Sequence, residues 1–140
     1  MLLYSLIYTS TATRSLTADD LEQLLDECYS NNLSRDVTGV LLYRNGQFIQ
    51  ALEGENATVL DLFTTIREDE RHQRIRVLCE EPIQKRLFAG WAMALHNLDH
   101  IDLRERPGYA DYMNLPFDSE ALTGDPQRVQ ALLAMFTETL

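Results

Sequence analysis

The chain has 140 residues, 45% of them hydrophobic and 24% charged, which is the balance expected of one soluble globular domain. Its formal net charge of −10 repels phosphate backbones and argues against a nucleic-acid surface. No apolar run is long enough to span a bilayer, and the first residues lack the basic flank of a signal peptide, so the sequence predicts a cytoplasmic protein without a membrane or nucleic-acid partner.

The N-terminal segment predicts a strand followed by an amphipathic helix. Residues 2–9 are nearly all apolar, as expected for a central strand that is buried on both faces. Thr17 and Asp20 stand at the spacing of a capping box, which marks the start of a helix. Asn31 and Asn32 are expected to end this helix, because asparagine tolerates the left-handed conformation. A plain helix stop and a ligand contact both remain open for this pair. The apolar face of the helix consists of Leu21, Leu24, Leu25 and Cys28.

Residues 38–54 carry the strongest local signal, two apolar runs on either side of an Asn-Gly pair. Because Asn and Gly tolerate positive φ, the segment predicts two antiparallel strands joined by a tight turn. Side chains alternate between faces along a strand, which places Gln50 between Phe48 and Leu52. An amide without partners costs roughly 2–7 kcal/mol to remove from water. Gln50 is therefore expected to be exposed at an edge, bonded to a neighbouring loop, or directed at the polar edge of a ligand.

A second amphipathic helix and another strand follow the hairpin. Apolar residues at helical spacing between positions 59 and 66 predict the helix. The charged run at 69–72 closes it, either as a solvated exit or as part of a binding site. Residues 75–79 alternate between apolar and polar as a strand does, and Pro82 is expected to lie beyond the end of that strand.

The C-terminal part predicts one more strand and two helices. Residues 88–96 form the strand, in which Trp91 and Met93 share a face and either pack in the core or contribute to a site. A short helix is expected at 109–117, and a longer one after the N-cap Asp125. The apolar stripe of this last helix consists of Val129, Leu132, Leu133 and Phe136.

The order of the predicted elements indicates the fold. It is β-α-β-β-α-β with one extra strand, which is typical of an α+β, ferredoxin-like sheet. Two helices would cover one face of that sheet. The C-terminal helices would cover the other face or lie in a subunit contact.

The chemistry of the chain points to binding rather than to catalysis. The sequence contains no Ser-His-Asp arrangement, metal-ligand cluster, phosphate-binding glycine loop or dinucleotide fingerprint, so it predicts neither an enzyme nor a metal site. The three histidines are too scattered to suggest metal ligands. The remaining hydrogen-bonding side chains, which the fold would bring together near the two helices, favour a flat or polar ligand. They are Tyr8, Asn31, Asn32 and Gln50.

Several short segments follow one another in a specific order and spacing within the first 98 residues: Leu6-Ile7-Tyr8-Thr9-Ser10, Asn31-Asn32, Thr38-Gly39-Val40-Leu41-Leu42-Tyr43, Gly46-Gln47-Phe48-Ile49-Gln50-Ala51-Leu52-Glu53-Gly54, Asp69-Glu70-Arg71-His72 and Trp91-Ala92-Met93. Together they resemble the BLUF family, blue-light sensors that use FAD. The resemblance implies a flavin-binding domain over residues 1–98 and a C-terminal helical extension over residues 99–140.

The resemblance also implies where FAD would bind, without a covalent bond. The isoalloxazine ring would lie in a slot between the two helices, because a flat aromatic ligand suits such a slot. Leu25 and Ile66 would form apolar walls, while Asn31 and Asn32 would hydrogen-bond the polar edge of the ring. Two further residues would reach toward the ribityl or phosphate end, Arg71 and His72.

The activity that the resemblance implies is photochemical. Gln50 would bridge Tyr8 and the flavin. After blue-light excitation, Tyr8 would give up an electron and a proton, and the Gln50 amide would rotate or tautomerise before both return. The changed hydrogen bond would shift the absorption to the red. This scheme needs a phenol and an amide with different donor and acceptor ends. Trp91 and Met93 would belong to the photoactive set on the last strand.

The resemblance finally implies signalling through protein contacts. Short members of the family form homo-oligomers, often pentameric rings or decamers, and light changes their contact with a separate regulator or effector protein. Two alternatives from other classes stay open on the sequence alone, a flavin-dependent oxidoreductase and a cofactor-free ferredoxin-like assembly module. An absorption spectrum before and after blue light separates them from a photoreceptor.

Overall fold

The computed structural model describes residues 2–90, 92–105, 122 and 124–136. Apolar patterns at periods of two and of about 3.6 residues divide this part of the chain into strands and helices. The strands are β1 (Leu3–Ala12), β2 (Thr38–Arg44), β3 (Gln47–Glu55), β4 (His72–Ile83) and β5 (Ala94–Asn97). The helices are α1 (Ala18–Ser34), α2 (Asn56–Arg67), a short 3-10 helix (Leu103–Glu105) and α3 (Pro126–Ala134).

The five strands form one sheet in the order β4-β1-β3-β2-β5. β1 is antiparallel to both β3 and β4, β2 is antiparallel to β3, and β5 is parallel to β2. The first four strands therefore have the ferredoxin-like arrangement, and β5 is the extra strand at the edge. The predicted fold class is confirmed, as is the central position of β1.

The hairpin between β2 and β3 forms around the predicted turn. Asn45 and Gly46 have φ angles of 47° and 80°, so both use the left-handed region that a two-residue hairpin turn needs. This turn sets the register of β3, which places Gln50 opposite Tyr8 of β1 and Leu41 of β2. An amide and a phenol thus stand side by side in the middle of the sheet.

Each face of the sheet carries its own buried layer. The α1–α2 face is the side on which α1 and α2 pack, and the α3 face is the opposite side, on which α3 packs. The alternation along β3 is as predicted, because Phe48 and Leu52 lie in the first layer while Ile49 and Ala51 lie in the second. Buried residues of the α3 face outside β3 include Val40, Leu42, Phe88, Leu132, Leu133 and Phe136.

Helix α1 begins as predicted and ends later. Thr17 accepts a hydrogen bond from the Asp20 backbone, and the Asp20 carboxylate accepts one from the Thr17 backbone, so the capping box is confirmed. The predicted end at Asn31 and Asn32 is wrong by about one turn, since the helix continues to Ser34. The left-handed residue is Asp36, with φ 55°, and it turns the chain back into β2.

Strands β4 and β5 differ in length from the prediction. β4 runs through Pro82, because β4 is an edge strand and the missing N–H of a proline removes no inter-strand bond there. β5 begins only at Ala94, so the described residues of the predicted strand that precede it, Phe88 and Met93 among them, lie in irregular chain. Trp91 and the helix predicted at 109–117 lie outside the described residues.

Among the helices that the structure describes, none combines the length and the apolar character needed to cross a membrane.

Candidate functional site

A cavity of about 570 Å³ opens on the α1–α2 face, between the two helices and above β1 and β3. Its volume lies within the range of about 300–1,000 Å³ that small-molecule and cofactor sites occupy. Apolar side chains form much of its wall, and polar groups lie both at its floor and around its rim. Its lining consists of Tyr8, Leu24, Asp26, Glu27, Cys28, Ser30, Asn31, Asn32, Leu41, Phe48, Gln50, Leu62, Thr65, Ile66, Asp69, Arg71 and His72.

Tyr8 and Gln50 form the buried polar floor of the cavity. The register of β1 and β3 places them opposite each other, and the Tyr8 hydroxyl donates a hydrogen bond to Gln50 Oε1. Burial raises the pKa of the Tyr8 phenol well above its usual value, and the nearby Cys28 and Asp69 raise it further. The phenol therefore keeps its proton, and it remains a donor toward the amide.

The other end of the Gln50 amide points to Met93. Gln50 Nε2 donates to Met93 Sδ over 3.7 Å, and both side chains are buried. A thioether only accepts, and it accepts weakly. The amide is thus held by a strong donor at its oxygen and by a weak acceptor at its nitrogen. Of the outcomes that the sequence left open for Gln50, the structure shows a buried amide that is satisfied by two side chains and lines a cavity.

Asn32 ties α1 to the chain that leads into β5. Its Nδ2 donates to the carbonyl oxygen of Ala92 over 2.8 Å, and its side chain is buried although it lies in the last turn of the helix. Its side-chain oxygen makes no hydrogen bond with the described residues, and Asn32 is among the residues that line the cavity. Asn31 also lines the cavity, but it is exposed. The two asparagines therefore stand at different depths.

The apolar walls come from both helices. Ile66 lines the cavity from α2, as predicted, together with Leu62. From α1 the lining residues are Leu24 and Cys28, whereas Leu25 packs against the core of the same face. Leu24 and Cys28 are four residues apart, so they point in nearly the same direction from the helix. Burial raises the pKa of the Cys28 thiol to about 11, so this thiol stays protonated.

A ring of charged side chains surrounds the rim. The Arg71 guanidinium contacts Asp69 at 2.5 Å and Glu27 at 2.6 Å. These hydrogen bonds lower the pKa of the Asp69 carboxyl and raise the pKa of Arg71. Asp26 adds a third carboxylate to the lining, so the rim is acidic overall even with Arg71 present. A phosphate placed there would compete with two carboxylates for one guanidinium.

His72 is held by hydrogen bonds to neighbouring parts of the fold. Its Nε2 donates to the Ile66 carbonyl over 2.6 Å, since a carbonyl only accepts, and its Nδ1 forms a hydrogen bond with the Ser10 hydroxyl over 2.8 Å. The ring stands edge-on to Tyr8, with centroids 6.1 Å apart. His72 thus joins the end of α2 to β1 and closes the cavity behind Tyr8.

Three neighbours of the site were missed in the sequence. Glu27 and Cys28 lie one turn before Asn31 and Asn32 on α1, so helical spacing from the asparagines would have found them. Phe63 packs on the Tyr8 ring with centroids 5.3 Å apart, and the same spacing along α2 from Ile66 would have suggested it. In the described part of the chain, no cluster of three or more His, Cys, Asp or Glu could hold a metal ion.

The fold and the cavity together define a ferredoxin-like domain that can hold a flat ligand against a phenol–amide pair. Comparison with known proteins identifies the family to which this domain belongs. The model of the family described as "BLUF: Sensors of blue-light using FAD" matches residues 3–94. The photoactivated adenylate cyclase subunit beta of Euglena gracilis is 36% identical over 86 residues, which are 61% of this chain and 10% of that protein.

Solved structures agree with the family match. The dark-state structure of BlrB, a BLUF protein, has a TM-score of 0.79 at 28% identity and matches over 99% of this chain and 98% of BlrB. Klebsiella pneumoniae BlrP1, with FMN and cyclic diGMP, has a TM-score of 0.67 at 33% identity over 71% of this chain and 27% of BlrP1.

The chain belongs to the BLUF family of blue-light sensors. This confirms the resemblance found in the sequence, and with it a flavin photoreceptor as the class of function. The chain spans about a tenth of the length of the curated relatives it matches. The family description is that of a light sensor, and the catalytic activity in the names of those cyclase subunits is not assigned to this chain.

Proposed function

We propose that the cavity between α1 and α2 holds the isoalloxazine ring of FAD. The volume of about 570 Å³ and the two apolar walls suit a flat tricyclic ring. The side-chain oxygen of Asn32 and the amide of Gln50 suit its polar edge, which carries both donors and acceptors. The residues present therefore fit a flavin, and the family description supplies FAD as the particular one.

The contact proposed for each residue depends on how deep in the cavity that residue lies. Asn32, which is buried, would accept a hydrogen bond from the ring edge, and the exposed Asn31 would add a weaker contact at the rim. Leu24, Cys28 and Ile66 would pack on the ring faces. Arg71 and His72 remain the proposed residues nearest the ribityl and phosphate end, Arg71 as the cation of the rim and His72 as the wall behind Tyr8.

The observation that carries this function is the buried chain from Tyr8 through Gln50 to Met93. When bound, the flavin supplies an electron acceptor that blue light excites. Tyr8 would give an electron and then the proton of its hydroxyl to the excited flavin, and both would return to Tyr8, which leaves the flavin oxidised as it began. Before they return, the Gln50 amide would rotate, which breaks the bond from Nε2 to Met93 Sδ, or tautomerise, and either change alters the hydrogen bond that faces the ring. The absorption shift reports that changed hydrogen bond.

The proposed output is a change in association. Residues 1–98 would form the sensor and residues 99–140 its helical extension, with α3 packed on the sheet face opposite the cavity. A cytoplasmic homo-oligomer, such as a pentameric ring or a decamer, would alter its contact with a separate regulator or effector protein when Met93 responds to Gln50. A switch of this kind needs only a small difference in free energy between states, since about 1.4 kcal/mol changes an affinity tenfold.

An absorption spectrum before and after blue light tests the proposed function. The protein, purified after expression with added FAD, is expected to be yellow and to show a reversible red shift that decays in the dark. Light scattering on the same sample, dark and illuminated, tests the output. A colourless protein, or a yellow one whose spectrum does not change with light, would contradict the photoreceptor assignment.

A further inference from the structure

The chain between β4 and β5 crosses from one face of the sheet to the other. Phe88 is buried in the layer on the α3 face, and Met93 is buried in the layer on the α1–α2 face. We call residues 87–90 and 92–93 the crossing segment. It is the stretch that brings Met93 to Gln50, and β5 follows it directly at the edge of the sheet.

The start of the crossing segment is held by Glu53 of β3. This carboxylate is only 1% exposed. Its Oε2 accepts the Leu87 N–H over 2.7 Å, and its Oε1 accepts the Phe88 N–H over 2.9 Å. A carboxylate is acceptor-only, and each of these partners is a donor. Charge-assisted bonds of this kind are about twice as strong as neutral ones, so the first two residues of the segment are firmly anchored.

A second layer of donors supports the carboxylate. The Thr38 hydroxyl donates to Glu53 Oε1 over 3.2 Å, and Arg86 Nη1 in turn donates to the Thr38 hydroxyl over 3.0 Å. Arg86 also donates to the backbone oxygens of Glu53 and Asp36, over 3.2 and 2.8 Å. The positive charge thus lies one hydroxyl away from the carboxylate. This accounts for a buried anion in a layer that is otherwise apolar.

At the other end of the crossing segment the Ala92 carbonyl accepts from Asn32 Nδ2 over 2.8 Å, whereas the Met93 side chain itself is held weakly. Met93 meets Gln50 only through the 3.7 Å contact of Nε2 to Sδ, and a thioether is a poor acceptor. Met93 Cε lies beside Gly39: a Cβ on residue 39 would be 3.4 Å from Met93 Cε, in van der Waals contact, and only 2.0 Å from the Ala51 carbonyl oxygen. A contact this weak depends on how well its two partners are positioned.

We propose that Glu53 is a positioning residue for Met93, which rests on the photoreceptor function proposed above. Gln50 and Glu53 belong to the same strand but point to opposite faces. Gln50 contacts the Met93 side chain at the end of the crossing segment, and Glu53 anchors the backbone at its start. With the start fixed, Met93 Sδ stays at the place where the amide of the dark state needs an acceptor. The anchor therefore favours the return of Gln50 to its dark arrangement.

The test is a double-mutant cycle on the rate of dark recovery. Glu53→Gln keeps the shape of the side chain but puts an NH₂ group opposite one of the two backbone N–H donors, so one anchor bond is lost. Met93→Ala removes the acceptor itself. Glu55→Gln is the matched control, because Glu55 lies on the same strand, is exposed and makes no side-chain cap bond.

Glu53→Gln is expected to keep the size of the light-induced red shift and to slow dark recovery by roughly twofold or more, in line with couplings within one hydrogen-bonded network. Met93→Ala is expected to slow recovery too, and the double variant no further than Met93→Ala alone. Glu55→Gln is expected to recover like the wild type. A purely structural role would lower the midpoint of thermal unfolding and leave the recovery rate unchanged, or would give effects that add in the double variant. Either result overturns the proposal.

A wild-type measurement covers the case in which Glu53→Gln fails to fold. The Leu87 and Phe88 amides are expected to exchange slowly with solvent both in the dark and under blue light, since the anchor does not move. Loss of their protection on illumination would overturn the proposal. Failure of the function as a whole has a different signature, a wild-type spectrum that does not respond to light.

Discussion

Strand β3 presents one buried polar side chain to each face of the sheet, and the two are held very differently. Gln50 has a phenol at one end and a thioether at the other. Glu53 accepts from two backbone N–H groups and a hydroxyl. An amide can exchange donor for acceptor by turning over, whereas a carboxylate cannot. The strand thus carries a group that can switch on the α1–α2 face and a fixed group on the α3 face.

The packing of the two faces of the sheet also differs. The α1–α2 face contains the cavity of about 570 Å³, while on the α3 face Leu132 and Phe136 have no exposed surface. Side chains without exposed surface occur on the α1–α2 face too, Leu6 and Leu52 among them, so both faces contribute to stability. We infer that light sensing belongs to the α1–α2 face, which contains the cavity.

The substitution Tyr8→Phe is the most direct test that light sensing belongs to the α1–α2 face. Phenylalanine keeps the packing against Phe63 but removes the hydroxyl that donates to Gln50. We expect flavin binding to remain and the light-induced red shift to disappear completely. Tyr4→Phe is the control, since Tyr4 lies on the same strand but does not line the cavity. A normal shift in Tyr8→Phe, measured by absorption after blue light, would remove Tyr8 from the mechanism.

Leu132→Ala tests the opposite face. Truncation of a fully buried leucine typically lowers the free energy of unfolding by about 2–5 kcal/mol. Urea unfolding should show that loss, while the dark spectrum and the size of the red shift in the folded protein stay unchanged. Leu60→Ala, at a leucine that is 40% exposed, should cost far less. A shifted dark spectrum in Leu132→Ala would mean that the two faces do not act separately.

Asn32→Ala tests the contact between α1 and the cavity. The buried amide bonds the Ala92 carbonyl and lines the cavity, so its removal leaves buried polar groups without partners. We expect flavin affinity to fall by an amount equivalent to about 1–3 kcal/mol. Asn31→Ala, at the exposed neighbour, should weaken binding less. Equal losses in the two variants, in flavin titrations followed by fluorescence, would contradict the different depths assigned to them.

Much of this fold could be predicted because the short-range sequence pattern of most elements matches the position that each element takes in the folded domain. The capping box at Thr17 and Asp20, the hairpin turn, and the apolar stripe of α3 are short-range signals, and each appears as predicted. The alternation along β3 also placed Gln50 between two large hydrophobic residues, as an amide that is either exposed at an edge or in need of specific partners. The family resemblance then named Tyr8 as one of them. Local pattern was sufficient wherever an element is stabilised by its own neighbours in sequence.

The predictions were wrong where the structure of a segment depends on residues that are distant in the sequence. Pro82 continues β4 only because no strand pairs with its outer edge, and sheet order is not a local property. Phe88 and Met93 look like parts of one strand in sequence, but both precede β5 and lie in irregular chain whose contacts come from β3. The Glu27 partner of Arg71 comes from another helix, so the charged run at 69–72 did not indicate that its arginine is already paired.

The pairing of Arg71 leads to the prediction with the smallest expected effect. Riboflavin, FMN and FAD share the ring that the α1–α2 face would bind, and they differ in phosphate groups that would meet the rim. There Arg71 is engaged by Asp69 and Glu27, and Asp26 adds further negative charge. We expect the three flavins to bind within about tenfold of one another, which is about 1.4 kcal/mol. Because the repulsion is between exposed charges, added salt should tighten FAD binding and leave riboflavin unaffected.

Glu27→Gln makes this test specific, because it frees one side of the Arg71 guanidinium without changing the cavity wall. FMN and FAD should bind more tightly to this variant, whereas riboflavin should bind as it does to the wild type. Glu22→Gln on the same helix is the control, since Glu22 is exposed and does not line the cavity. If wild-type protein bound FAD more than a hundredfold more tightly than riboflavin, the rim would be a phosphate site in its own right. The recognition of the cofactor could then no longer be assigned to the ring alone.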